Sequence, residues 1–484
     1  MKNKSLKFNE ILNVIKQLCS VIFPLITIPY VSRILQSENY GKYNFGNSII
    51  SYFSLIAALG VSTYAVREGA KYRDDLKKIT KFSREIFTIN IISMIISYLL
   101  LFILLAVPSP LTSYRKLILI QSIVIFLTTI GADWINTIYE DFAYITLRYI
   151  FMQIISIFAM FIFVKKPSDY IVYAIITVCS NAGANILNFF HIRKYVKLKL
   201  TRKLNLKRHL KPLILLFSNA VAVTIYVNSD TTLLGLLDGD VSTGLYSIAA
   251  KIYMIIKQLL NAVIIVSLPK LSLYIGIGKK REYLQLLRKI VNSLMSILCP
   301  AMVGIFMLSK NIIVIISGKQ YVKATSALQI LSIALLFAIF ACFFTNCILI
   351  PCKQDGLFLK ATISGAIVNV ILNFLCIPIL SFNGTAMTTV IAEFIVCIIS
   401  YSYVKKQFKI GIDTETIYSV VIGCIFIILI CKAILLMVEN IFVSTILCCG
   451  LSVCVYIASL ILLKNKIMYE ILDEVKKRLG KKDE

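Results

Sequence analysis

Runs of apolar residues, each long enough to cross a bilayer, recur along this chain from one end to the other. A helix rises 1.5 Å per residue, so about 20 residues match a hydrocarbon core of roughly 30 Å. No water satisfies backbone N–H and C=O groups there, so each run must be a helix or a strand of a closed barrel. Barrel strands need only about ten residues and alternate in polarity; these runs are twice as long and do not alternate. The sequence therefore predicts an all-α, polytopic membrane protein of about 14 transmembrane helices. The spans fall at 11–34, 44–66, 86–107, 117–139, 145–164, 170–192, 212–235, 245–268, 290–309, 326–350, 359–380, 384–404, 418–438 and 441–463. Apolar residues make up 58% of the 484, leaving no stretch long and polar enough for a separate soluble domain.

A net charge of +27 would suit a nucleic-acid binder. The basic residues lie instead in short connections between spans, where they set topology, so no nucleic-acid partner is expected. With the N-terminus inside, and residues at span edges counted with the adjoining connections, 38 of the 51 Lys and Arg fall in inner segments, nine in outer connections and four within spans. Both termini are thus expected in the cytoplasm. The apolar run after Lys2, Lys4 and Lys7 extends from Ile11 to Leu35, too long for a cleaved signal peptide, and reads as an uncleaved first span. Thirteen cysteines, with only His191 and His209 beside them, lack zinc spacing. No metal or cofactor is expected, and Cys342 and Cys347 read as packing residues.

The longest basic inner connection, from His191 to Pro212, divides the spans into six before and eight after. At an offset of 203, Gly41-Lys42-Tyr43 falls on Gly244-Leu245-Tyr246, Lys16 on Asn219, Thr27 on Asp230 and Arg67 on Lys270. Six spans per repeat, an even number, leaves both repeats in the same orientation. The expected organisation is two pseudo-symmetric six-helix lobes, 1–205 and 206–410, followed by an extra helix pair and tail over 411–484. In that tail Ile467, Ile471, Leu472, Val475 and Leu479 have the spacing of an amphipathic helix on the inner membrane surface.

Pro29-Tyr30-Val31-Ser32-Arg33-Ile34-Leu35, Tyr40-Gly41-Lys42-Tyr43 and Tyr64-Ala65-Val66-Arg67-Glu68-Gly69-Ala70 form a connected set of motifs. Asp133-Trp134, Tyr139-Glu140-Asp141-Phe142, Tyr144-Ile145-Thr146-Leu147-Arg148 and Val164-Lys165-Lys166-Pro167 continue it. Together they resemble the Wzx-type polysaccharide flippases of the multidrug/oligosaccharidyl-lipid/polysaccharide (MOP) exporter superfamily. The likeness covers about residues 8–465 and is densest in the first 200. It implies a V-shaped pair of lobes around a cavity that opens alternately to the two sides of a bacterial plasma membrane. The cargo it implies is an undecaprenyl-diphosphate-linked oligosaccharide for capsule, O-antigen or another surface polysaccharide. Membrane lipids, a polysaccharide polymerase and other assembly proteins are the implied partners. A peptidoglycan-precursor flippase and a MATE-like cation-coupled drug antiporter are the alternatives, the latter expected to have an acid-dominated cavity. No P-loop is present, and short loops argue against a membrane glycosyltransferase or polymerase.

Such a cargo needs cations for its diphosphate, a polar route for sugars and a side opening for its tail. An ionisable group at mid-bilayer costs about 2.5–3.5 kcal/mol on insertion scales, so those inside spans are the sharpest candidates. Lys257 lies near the middle of its span and shares a face with Asn261, whereas Lys251 shares another with Gln258. Asp230 sits at the depth of Lys251, which permits a pair, and aligns with Asn219 and Tyr226 on one helical face. Lys16 either snorkels to the inner surface or meets phosphate, while Arg33 and Arg67 are phosphate forks or interfacial anchors. Glu393 either binds a coupling proton or sodium ion or neutralises Lys257. Asp133 reads as interfacial, with Trp134 in the aromatic belt. Pro24 and Pro29 permit a bend in the first span. The hairpin 418–463 either lines a groove for the isoprenoid tail or simply packs at the periphery.

Overall fold

The computed structural model describes residues 6–408, 410–470 and 472–473, with only the backbone of 6–11 and 13. Ile471, Val475 and Leu479 of the expected tail helix lie outside the described residues. No strand occurs among them. The helices are α1 (Leu6–Ala58), α2 (Val61–Gly69), α3 (Leu76–Ala106), α4 (Arg115–Gly131), α5 (Trp134–Ile138), α6 (Phe142–Phe163), α7 (Tyr170–Val178) and α8 (Ala184–His191). They continue with α9 (Leu206–Leu237), α10 (Asp240–Gly276), α11 (Lys280–Ser317), α12 (Thr325–Phe344), α13 (Asp355–Gln407), α14 (Thr414–Met437) and α15 (Ile441–Leu462).

Among the described residues, 12 helical stretches are long and apolar enough to cross a membrane. The expected count of 14 is thus approached rather than met, and the difference has a physical reason. Helices α1 and α13 each run to 53 residues, which would be about 80 Å if straight. Each is broken once, at Gln36 (φ 62°) in α1 and Ser381 (φ 53°) in α13. These breaks fall between the spans expected at 11–34 and 44–66, and at 359–380 and 384–404.

The chain forms two compact units, Met1–Gly244 and Leu245–Glu484. In the first, α1 packs against α3, α4, α6 and α9, and α9 also meets α2. Polar residues on α3 hold the end of α1: Asn90 donates to the Ala57 carbonyl at 2.7 Å, Ser93 to Ile56 and Ser97 to Phe53, each at 2.6 Å. Gly41 sits so close to the Asp240 carbonyl that a Cβ would lie 1.8 Å from its oxygen, and a Cβ on Gly244 would lie 1.9 Å from that of Ser37. The two glycines matched at the 203-residue offset therefore have the same cause, backbone approach that excludes any side chain.

In the second unit α11, α12 and α13 pack together, and the pair α14–α15 lies against α11. The two halves of α13 fold back on each other. Thr388 donates to Asn373 at 3.0 Å, and Asn373 donates to Asn369 at 3.2 Å. Those three side chains are buried, so the bonds between them offset the cost of taking polar groups out of water.

Candidate functional site

Two helix breaks in the first unit, and a wide turn, create a polar cavity. Helix α1 ends at Ala58, and Leu59 (φ 44°) and Gly60 (φ 70°) redirect the chain into α2. Helix α4 ends at Gly131, and Ala132 (φ 41°) redirects it into α5. Between α7 and α8 the segment Cys179–Gly183 forms a single π-helical turn. Each break frees backbone carbonyls, which at membrane depth need partners. Asn188 donates to the Gly131 carbonyl at 2.6 Å, and Asn136 donates to Asn188 at 2.6 Å. Asn90 serves Ala57 in the same way.

Around these breaks lies a cavity of about 400 Å³ lined by residues of α1 to α6, the π turn and α8. Ser62, Asn90, Thr128, Ser180 and Asn185 give it a polar wall. Its charged groups are Lys16, Asp133 and Arg148, two cations against one carboxylate. Arg148 is 8% exposed and donates through Nη2 to Asp133 at 2.9 Å. Its guanidinium stands over the Tyr144 ring, 5.4 Å from the centroid. Buried Nη1 has no protein partner among the described residues. Leaving a buried donor unmatched costs about 1–3 kcal/mol, more for a charged group, so this nitrogen marks where an acceptor belongs. Lys16 Nζ lies 5.9 Å from the centre of the Tyr149 ring, on the helix that carries Arg148.

The start of α6 is pinned beside this cavity. Asp141 accepts from His191 at 3.0 Å, Lys194 at 3.0 Å and Tyr195 at 2.9 Å, tying α6 to the end of α8. His191 stacks on Tyr144 with ring centroids 3.5 Å apart. Burial works to raise the Asp141 carboxyl, but the bonds from His191, Lys194 and Tyr195 outweigh it and hold the group well below the ordinary range.

Of the residues singled out from sequence, the structure brings Lys16 to this cavity. Arg33 and Arg67 are exposed and do not line it, and Arg67 lies 3.4 Å from Glu68. On α9, Asn219 is exposed, Tyr226 half-buried and Asp230 buried, again away from the cavity lining. In the second unit Lys251 and Gln258 are exposed and Asn261 is half-buried. Lys257 meets Glu393 at 2.6 Å, and Tyr253 donates to the same carboxylate at 3.1 Å. Glu393 is 4% exposed, and it forms the ion pair with Lys257 that is one of its two readings.

Arg148 was not among the candidates, because it sits at a span edge where arginine usually anchors. Trp134 is buried among protein side chains rather than facing outward as an aromatic-belt residue would, and Asp133 pairs with Arg148. The available signal was Gly131-Ala132-Asp133, a weak helix segment inside an apolar span. A second, apolar groove of about 370 Å³ lies between α11 and the α14–α15 pair, with Pro300, Gly304, Ile427 and Val453 in its walls. Its place is that of the hairpin considered for a lipid tail.

Comparisons with known proteins agree on kind. The family described as polysaccharide biosynthesis protein matches residues 7–275. A putative O-antigen transporter of Escherichia coli (strain K12) is 25% identical over 416 residues, 83% of this chain and 97% of that protein. Capsular polysaccharide biosynthesis protein CapF of Staphylococcus aureus is 26% identical over 420 residues, 84% of this chain and 99% of its own. Among solved structures, lipid II flippase MurJ in an inward closed conformation has a TM-score of 0.75 at 19% identity. It covers 96% of this chain and 100% of that one, a likeness of fold.

Proposed function

The chain belongs to the polysaccharide biosynthesis protein family, and from that premise we propose that it is a flippase for undecaprenyl-diphosphate-linked oligosaccharides in the bacterial plasma membrane. One observation carries the reading: the Arg148 side chain, paired through one nitrogen with Asp133, lines a polar cavity that also holds Lys16. Arginine matches phosphate oxygens with a planar fork, and lysine adds a mobile point charge. Asp133 keeps the guanidinium oriented and partly neutralised until a diphosphate arrives. The serines, threonines and asparagines of the wall suit sugar hydroxyls.

The excess of cations disfavours a drug-cation antiporter, whose cargo would be repelled. A peptidoglycan precursor shares the diphosphate, but the family match and the O-antigen and capsule relatives favour surface polysaccharide. Arg148→Ala is expected to cut surface polysaccharide by about tenfold to a hundredfold, the value of one charged hydrogen bond. Arg148→Lys, keeping charge but losing the fork, is expected to fall between. The measurement is cell-surface glycan by immunoblot, normalised to protein in the membrane fraction. Undiminished glycan in Arg148→Ala cells at normal protein level refutes the assignment.

A further inference from the structure

At its first turns α3 carries a second constellation, separate from the cavity. Leu76, Lys77, Thr80, Lys81 and Arg84 follow helical spacing and form one wall of a groove of about 470 Å³. Thr201 and Lys203, from the connection before α9, form the opposite wall. That connection is fixed in place: Arg84 Nε donates to the Lys197 carbonyl at 3.1 Å, and the Thr201 amide donates to Thr88 Oγ1 at 3.1 Å. The groove is therefore built by two elements held together, rather than a row of lysines on an open helix.

Its charge is one-sided. Among the described residues, Lys77, Lys81 and Lys203 have no carboxylate within ion-pair distance, whereas neighbouring Lys78 pairs with Asp75 at 3.1 Å. The single acid in the wall, Glu85, is bound by His209 at 2.8 Å. The first amides of α3 are capped by Asp75, so the cations, not the helix end, set the potential. Leu76 in the wall and Leu200 beside Thr201 are each 65% exposed. Unpaired cations around a groove, with exposed leucines at its lip and a membrane span starting there, match an amphiphile with a phosphate head.

We propose that this groove binds the phosphate headgroup of an anionic phospholipid at the membrane surface. The lysines and the threonine hydroxyls hold the phosphodiester, and the leucines lie along the first carbons of the acyl chains. Charge near an anionic leaflet favours such contacts residue by residue. The site would fix the loop that joins the two repeats to the lipid surface, independent of the cargo.

The test is native mass spectrometry of the full-length protein in detergent, titrated with dioleoyl phosphatidylglycerol or with phosphatidylcholine. Phosphatidylglycerol retention is expected to weaken about fivefold for each lysine removed in Lys77→Gln, Lys81→Gln and Lys203→Gln, singly and combined. Phosphatidylcholine retention should not change, and Lys279→Gln with Lys280→Gln, outside the groove, should behave as the parent. Equal phosphatidylglycerol retention by parent and triple variant overturns the proposal. So does complete release of the lipid by millimolar inorganic phosphate, which would make the groove a site for soluble phosphate. Should the triple variant fold poorly, Lys81→Gln alone decides between these outcomes.

Discussion

The two units each bury basic and acidic groups in membrane-spanning helices, but they balance them differently. In the second, Lys257 and Glu393 close on each other at 2.6 Å, and Tyr253 takes a further share of the carboxylate. In the first, Asp133 meets only one nitrogen of Arg148, and Lys16 adds a second cation to the same cavity. The first arrangement leaves charge unspent where a ligand can reach it, whereas the second cancels it against a neighbour. Carrying charges at membrane depth does not by itself make a binding site. What makes one is a surplus of one sign beside polar space, and here helix breaks provide that space.

The largest effect that can break this contrast comes from splitting the second unit's pair. Glu393→Gln or Lys257→Met alone is expected to destabilise the protein by about 3 kcal/mol, because each takes a largely buried charge from its main partner. The double variant should recover most of the loss, read as thermal unfolding in detergent. If the double variant also retains surface polysaccharide export, the pair is structural; loss of export at normal stability would move the cargo site toward Lys257.

A smaller effect is expected at the anchor of α6. Asp141→Asn should cost about 2 kcal/mol, since an acid with three donors is replaced by an amide that accepts fewer. Because its folded pKa is depressed, the carboxylate's contribution is fully present above its unfolded value of about 4 and fades only as pH falls through the lower folded value. The penalty of the variant should therefore be constant between about pH 5 and pH 8. A penalty that changes steadily across that range would contradict a carboxylate held ionised throughout it.

The smallest change sharpens the comparison most. Asp133 is 42% exposed, so Asp133→Asn should cost less than about 1 kcal/mol, in line with screened ion pairs. It should also strengthen binding of a soluble diphosphate probe, measured by calorimetry, because Arg148 loses its internal anion. A cost as large as that of Glu393→Gln would erase the distinction drawn between the units.

Much of this could be read in the residues. Apolar runs gave the helices, because length and hydropathy alone decide what can span a membrane. The 203-residue offset named Gly41 and Gly244, and both prove to sit where backbone approaches backbone. Lys16 and the Lys257–Glu393 pair were identifiable as charges within apolar stretches. Arg148 was not, because its burial depends on α6 being drawn in by Asp141 and on Asp133 being turned inward at the break after Ala132. The groove on α3 was equally hidden, since Thr201 and Lys203 belong to a connection whose course no local pattern sets.

Sequence alone determined the class of molecule: an all-helical, multi-pass membrane protein with most of its positive charge in its connections. Tertiary structure alone decided which of those charges are cancelled and which remain available. The reason is that periodicity and hydropathy are properties of neighbours along the chain, whereas pairing and solvation are set by groups that meet only once helices have broken, bent and packed.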